Sequence, residues 1–176
     1  MKTNGLLAAI LVALALALVP APGAAEPATP DLDTPEGVVR ELYRLVCVDA
    51  GAPTPDWDRV RDLFLPEAVI VLRVSKDASN TFTLQGWIDD FIAYNERARV
   101  SEHGFAETIV RMKPMVFRDI ASILVLYEAS LLDSQRSPTR GVDSIDLIRR
   151  DGRWWIVSIV NDLPNADHPL PAALTE

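Results

Sequence analysis

The sequence predicts an α+β domain in which an antiparallel sheet is covered on one face by N-terminal helices. Three observations carry that reading. Apolar residues recur at helical spacing early in the chain, at Val38, Val39, Leu42, Leu45 and Val46, and again at Leu84, Trp87, Ile88, Phe91 and Ile92. Long runs rich in β-branched residues then follow one another over 105–117, 120–132, 141–149 and 154–161. Helices first and strands afterwards is the order of an α+β domain rather than of alternating α/β units.

The chain opens on a secretory pattern. Lys2 precedes an apolar run over 6–19, Pro20 and Pro22 break it, and Gly23, Ala24 and Ala25 are small residues of the kind a signal peptidase reads. The run is short of the roughly 20 apolar residues that a membrane span needs. Residues 1–25 are therefore predicted to be a signal peptide, with no stable membrane anchor left after its removal and a secreted or periplasmic destination. Absence of a Cys after the run excludes a lipobox. Residues 26–34 are a polar, Pro-containing linker, 35–165 the folded domain and 166–176 a tail.

Within the domain, Thr34, Pro35 and Glu36 read as N-cap, first helical residue and first-turn acid of a helix reaching about residue 48. GAPTP at 51–55 ends it. Asp56 caps a second, short helix through Trp57, Val60, Leu63 and Phe64, predicted to stop at Pro66. AVIVLRV at 68–74 is a strand, KDASNTFT a loop or hairpin end, and 84–97 a helix terminated near Gly104. Arg-Asp-Gly at 150–152 turns the last two strands into a hairpin.

The chain carries 17 basic and 25 acidic residues, a net charge of −8. An acidic domain without a basic cluster is not built to hold nucleic acid, because phosphate binding runs on Lys and Arg. The lone Cys47 cannot form an intrachain disulfide, and two separated histidines with one cysteine supply no metal-ligand cluster. No phosphate-cradling glycine loop or nucleophile elbow is present, and no cofactor is predicted.

The order of elements, together with DWDRVRDLFLPEAVI, GFAETIV, IASILVLYEA and above all RGVDSIDLIRRDGRWWIVSIVND, resembles the nuclear transport factor 2-like superfamily, which includes ketosteroid-isomerase-like and polyketide-cyclase-like proteins. The chain is similar in particular to a secreted bacterial branch of unknown function. The resemblance implies a strongly curved antiparallel sheet wrapped around about three helices, a cone with an interior cavity, and a homodimer formed through the outer sheet face. By matching positions it places Asp146 on the protonated oxyanion-hole Asp of the isomerases and Tyr43 on their oxyanion-hole Tyr. Two such donors converging on one oxygen can stabilise an enolate or hold a ligand carbonyl. The isomerases' general base falls on Val71, Leu72 and Arg73, where no acid stands, so the isomerase reaction lacks its proton acceptor.

Alternation along the strand puts Val142, Ser144, Asp146 and Ile148 on one face and Asp143, Ile145, Leu147 and Arg149 on the other. The resemblance selects the Asp146 face as the interior. Tyr127, Asn161, Ser144, Ile159 and Trp155 are then expected around a ligand, His103 at the mouth, and Trp154 and Glu128 outside, with Glu107 and Arg111 in a cross-strand charge network. An epoxide-hydrolase-like set of Arg140, Asp146 and Asp162 has the wrong spacing. Three functions follow as expectations: an exported domain binding a small, largely apolar molecule in its cone; an acid–base enzyme (dehydratase, isomerase or cyclase) on such a molecule; and a dimeric association module.

Overall fold

The computed structural model describes residues 31–75 and 77–175; the predicted signal peptide and most of the linker lie outside them. Helix α1 (Pro35–Val46) starts where its cap chemistry predicts: the Thr34 hydroxyl accepts the Gly37 N–H and Pro35 occupies the first turn. One face, with Val38, Val39, Leu42, Tyr43 and Val46, is buried. Helix α2 (Trp57–Arg61) is capped by Asp56, which accepts the Arg59 N–H. Buried Glu41 of α1 accepts hydrogen bonds from Arg44 and from Arg59, fastening α2 to α1.

The chain enters the sheet earlier than predicted. Strand β1 (Phe64–Ser75) begins two residues before Pro66, and the Leu63 carbonyl already accepts the Ile156 N–H. Pro66 is tolerated because the ladder is irregular between Phe64 and Val69, where its missing N–H removes no pairing. Strand β2 (Ala78–Thr83) occupies what reads as a loop. It is an almost wholly exposed edge strand antiparallel to β1, so it shows no apolar alternation.

Helix α3 (Leu84–Arg97), capped by Thr83, leads through the single-turn α4 (Val100–His103) to β3 (Phe105–Phe117). Strands β4 (Ile120–Leu131), β5 (Thr139–Arg150) and β6 (Arg153–Asp162) complete the meander, and α5 (Ala172–Thr175) lies in the tail. The sheet order is β2-β1-β6-β5-β4-β3. All pairs are antiparallel except β1 with β6, where Val69, Ile70 and Val71 pair in parallel with Ser158, Ile159 and Val160. The sheet is thus mixed at that junction, because α3 and the meander carry the chain back to β1's flank.

The core lies between the helices and the inner sheet face: Ile70, Ile123, Val125, Ile145, Leu147, Trp154, Ile156 and Ile159 pack against α1, Leu84, Trp87 and Ile88. A bulge at β6, where the register shifts between Asp146 and Leu147, makes Val157 the extra residue. Ile156 and Ile159 consequently share the inner face despite their spacing, and Ser158 faces out.

Candidate functional site

The inner face of β5 is the one bearing Asp143, Ile145 and Leu147, not the one bearing Asp146. Asp146 is exposed, accepts the Ser158 hydroxyl at 3.0 Å and lines a groove on the outer sheet face with Met115, Phe117, Ile120 and Val157. The parity reading of the strand holds; the face assigned to the interior by the resemblance is reversed. The physical reason is apolarity: Ile145 and Leu147 are fully buried, whereas Ser144 and Asp146 pair across the sheet with partners on the wet side. Ser144 accordingly leaves the ligand set. Trp155 and Trp154 exchange places as well. Trp154 is buried in the core, while Trp155 lies under the Arg153 guanidinium with its indole N–H donated to the Arg150 carbonyl. His103 faces Asp133 on the surface, its Nδ1 2.7 Å from the carboxylate, and is not among the cavity-lining residues.

Asp143 takes the interior place. It lies at the end of the inner face, where the Tyr43 hydroxyl donates to its Oδ2 at 2.6 Å and the Asn161 amide donates to its Oδ1 at 2.8 Å. The same amide donates to the Tyr127 hydroxyl at 3.0 Å, and the Tyr43 and Tyr127 rings pack at a centroid distance of 5.8 Å. Tyr43, Tyr127 and Asn161, three of the residues singled out from sequence, are therefore brought together, around Asp143 instead of Asp146. Ile159 is buried in the core.

Gly141 makes this cluster possible. A Cβ at that position would lie 2.3 Å from Cζ and Oη of Tyr127, which is its cross-strand partner on β4. The absent side chain is the space into which the Tyr127 ring lies.

A second acid joins from β3. Glu107 shares the inward parity of Phe105 and Ile109 and lines the cone's cavity. Burial pushes its carboxyl up to about 8, and the neighbouring Asp143 charge adds to the shift. Asp143 is itself raised by burial, offset by the hydrogen bonds from Tyr43 and Asn161. Both Asp143 oxygens accept donors, which suits the ionised form, so the proton of this coupled pair belongs on Glu107. Burial first, and Asp143 second, drives the Tyr43 and Tyr127 hydroxyls far above the ordinary phenol range, leaving them as fixed donors.

The cavity measures about 480 Å3, within the range of small-ligand sites. Of the polar cluster, only Glu107 lines it. Trp87, Phe91, Tyr94 and Phe105 form an aromatic wall in mutual edge contact, with Leu72 and Leu131 adding aliphatic surface. Leu72 stands at the cavity where the isomerase base was sought, so the acid in this cone comes from β3, not β1. Glu107 had been expected in an outer charge network; its partnership with Arg111 does not form, and the outer pair is Glu128 with Arg140. Among the described residues no group of His, Cys, Asp and Glu is arranged to hold a metal ion.

No family model and no curated protein matches the sequence. Solved structures do match. An NTF2-like protein with a cystatin-like fold from Novosphingobium aromaticivorans superposes with a TM-score of 0.58 at 16% identity, covering 79% of this chain and 84% of that one. A cystatin-like protein of unknown function from Nostoc punctiforme gives 0.57 at 6% identity, covering 74% and 89%. The β subunit of the benzoate 1,2-dioxygenase from Burkholderia mallei gives 0.56 at 17% identity, covering 81% and 96%. At these identities the likeness establishes the fold: a cystatin-like, nuclear transport factor 2-like α+β cone.

Proposed function

We propose that this cone binds a small, largely apolar molecule, with Glu107 as the polar pole of the site. One observation carries the reading: a cavity of about 480 Å3 walled by aromatic rings, into which a single carboxyl group with a strongly raised proton affinity projects. A protonated Glu107 donates to a ligand carbonyl or hydroxyl oxygen. Asp143, held by Tyr43 and Asn161, acts on it through its charge. The test is ligand screening by thermal shift with an Ala129→Trp variant, whose indole fills the cavity beside Glu107. Compounds that raise the midpoint of the natural chain are expected to lose that effect in the variant. Hits that persist in a folded Ala129→Trp protein would place binding elsewhere.

The Glu107–Asp143 pair favours a second reading, an enzyme performing acid–base chemistry on the bound molecule. An acid whose proton affinity lies near neutrality can both give and take a proton at working pH. The isomerase geometry is not what supports it, since Asp146 faces outward.

The outer face favours homodimerisation. Met115 is 75% and Phe117 71% exposed, and with Val116, Ile120 and Val157 they form a contiguous apolar surface around the Asp146 groove. A second copy fits it, since a two-fold contact needs only one such patch per protomer. Sizing chromatography is expected to show a dimer that Phe117→Asp converts to monomer; a monomeric natural chain excludes the association-module reading. Export rests on the N-terminal pattern, and N-terminal sequencing of the exported protein is expected to begin at Glu26.

A further inference from the structure

The charged groups that line the cavity define a ligand class. Beside Glu107, the lining includes Arg97 from the last turn of α3 and Arg136 from the connection between β4 and β5. Neither arginine has a carboxylate within salt-bridge distance among the described residues, a state shared with Arg40, Arg111, Arg118, Arg149 and Arg153; what sets the two apart is that both line the cavity. The helix dipole alone accounts for a cation at the end of α3. It does not account for Arg136, which comes from a loop and lines the same cavity. Ser134, Ser137 and Thr139 line the same cavity.

Resting on the cone-binding reading, we propose that the ligand is a small aromatic monoanion, in the simplest case a carboxylate, whose charge is held by Arg97 and Arg136 and which carries a further oxygen against Glu107. Guanidinium groups remain charged at all working pH values and match carboxylate oxygens with paired N–H donors. Among the described residues the lining carries Arg97, Arg136 and Asp90 as charged groups, with Glu107 protonated below about 8, so two positive charges stand against one negative. That balance fits one negative charge and opposes two. On the same lining, the rings of Trp87, Phe91, Tyr94 and Phe105 offer edges and faces for an aromatic body. In a chain of net charge −8, a cavity lining of opposite sign also draws anions toward it.

The experiment is isothermal titration of the full chain with cinnamate and naphthoate and with their methyl esters, repeated on the Arg97→Gln/Arg136→Gln double variant and on Lys113→Gln, an exposed cation outside the cavity. The acids are expected to bind about 10-fold or more tightly than their esters. The double variant is expected to remove that preference by weakening the acids alone, and Lys113→Gln to leave it intact. Equal binding of acid and ester to the natural chain, or an unchanged preference in the double variant, overturns the anion assignment while leaving the cone as a binding site. If neither acids nor esters bind, the cone-binding reading falls with it. Circular dichroism of each variant separates loss of binding from loss of fold.

Discussion

Replacing Gly141 by alanine is expected to lower the unfolding midpoint by roughly 5–10 °C, corresponding to about 2–3 kcal/mol for a domain of this size. The backbone at Gly141 does not require glycine; the space does. The new Cβ would meet the Tyr127 ring at 2.3 Å, far inside contact distance. Tyr127 is buried, packed on Tyr43 and hydrogen-bonded by Asn161, so it cannot swing aside without abandoning both contacts. A double-mutant cycle with Tyr127→Ala isolates the cause. In the Tyr127→Ala background the Gly141→Ala change is expected to cost little. Additive losses would show that the glycine serves something other than Tyr127.

Stability is expected to fall as pH rises from about 4.5 toward 8, and the fall is expected to flatten in Glu107→Gln. The Glu107 carboxyl releases its proton at about 8 in the folded protein, against 4.5 as its ordinary value. Between those values the unfolded chain has given up that proton and the folded chain has kept it. The folded state therefore binds more protons, and its stability drops with rising pH by at most about 1.4 kcal/mol per unit. The contribution is complete below the unfolded value and is lost as pH passes through the folded one. Asp143, also raised by burial, acts in the same direction. Glu102 and Asp162, lowered by Arg99 and Arg73, act in the opposite sense only at acid pH, outside this window. Denaturant unfolding at several pH values checks the slope. A flat profile in the natural chain, or an unchanged slope in Glu107→Gln, contradicts the assignment.

Much of the fold is legible in the sequence because local signals and burial agree there. Thr34 and Asp56 announce helix starts by side-chain chemistry that needs no tertiary context. The four meander strands are apolar enough to be read directly. Strand β2 is hidden because an exposed edge strand buries neither face, and the end of α2 is misplaced because Leu63 and Phe64 suit helix and strand patterns equally.

The site is half legible. Tyr43, Tyr127 and Asn161 are polar residues in apolar elements, and the structure gathers them. Asp146 follows from matching a family position, and the pattern of the strand does not decide between the faces, since Val142 and Ile148 accompany Asp146 as Ile145 and Leu147 accompany Asp143. Glu107 is in step with Phe105 and Ile109. Two carboxyl groups from strands β3 and β5 converge only through sheet curvature and register, which no local pattern encodes. The exchange of Trp154 and Trp155 has a similar origin, since the bulge at Val157 resets the parity of β6.

Glu107 as the proton-carrying group of a ligand-binding cone is open to direct measurement. Carbon-detected NMR titration of the glutamate side-chain carboxyls, assigned with Glu107→Gln, tests it most directly. One resonance is expected to titrate near 8, to move toward lower pH in Asp143→Asn, and to shift when a cavity ligand binds. Glutamate carboxyls that all titrate near their ordinary value of 4.5, unmoved by Asp143→Asn or by ligand, would contradict it.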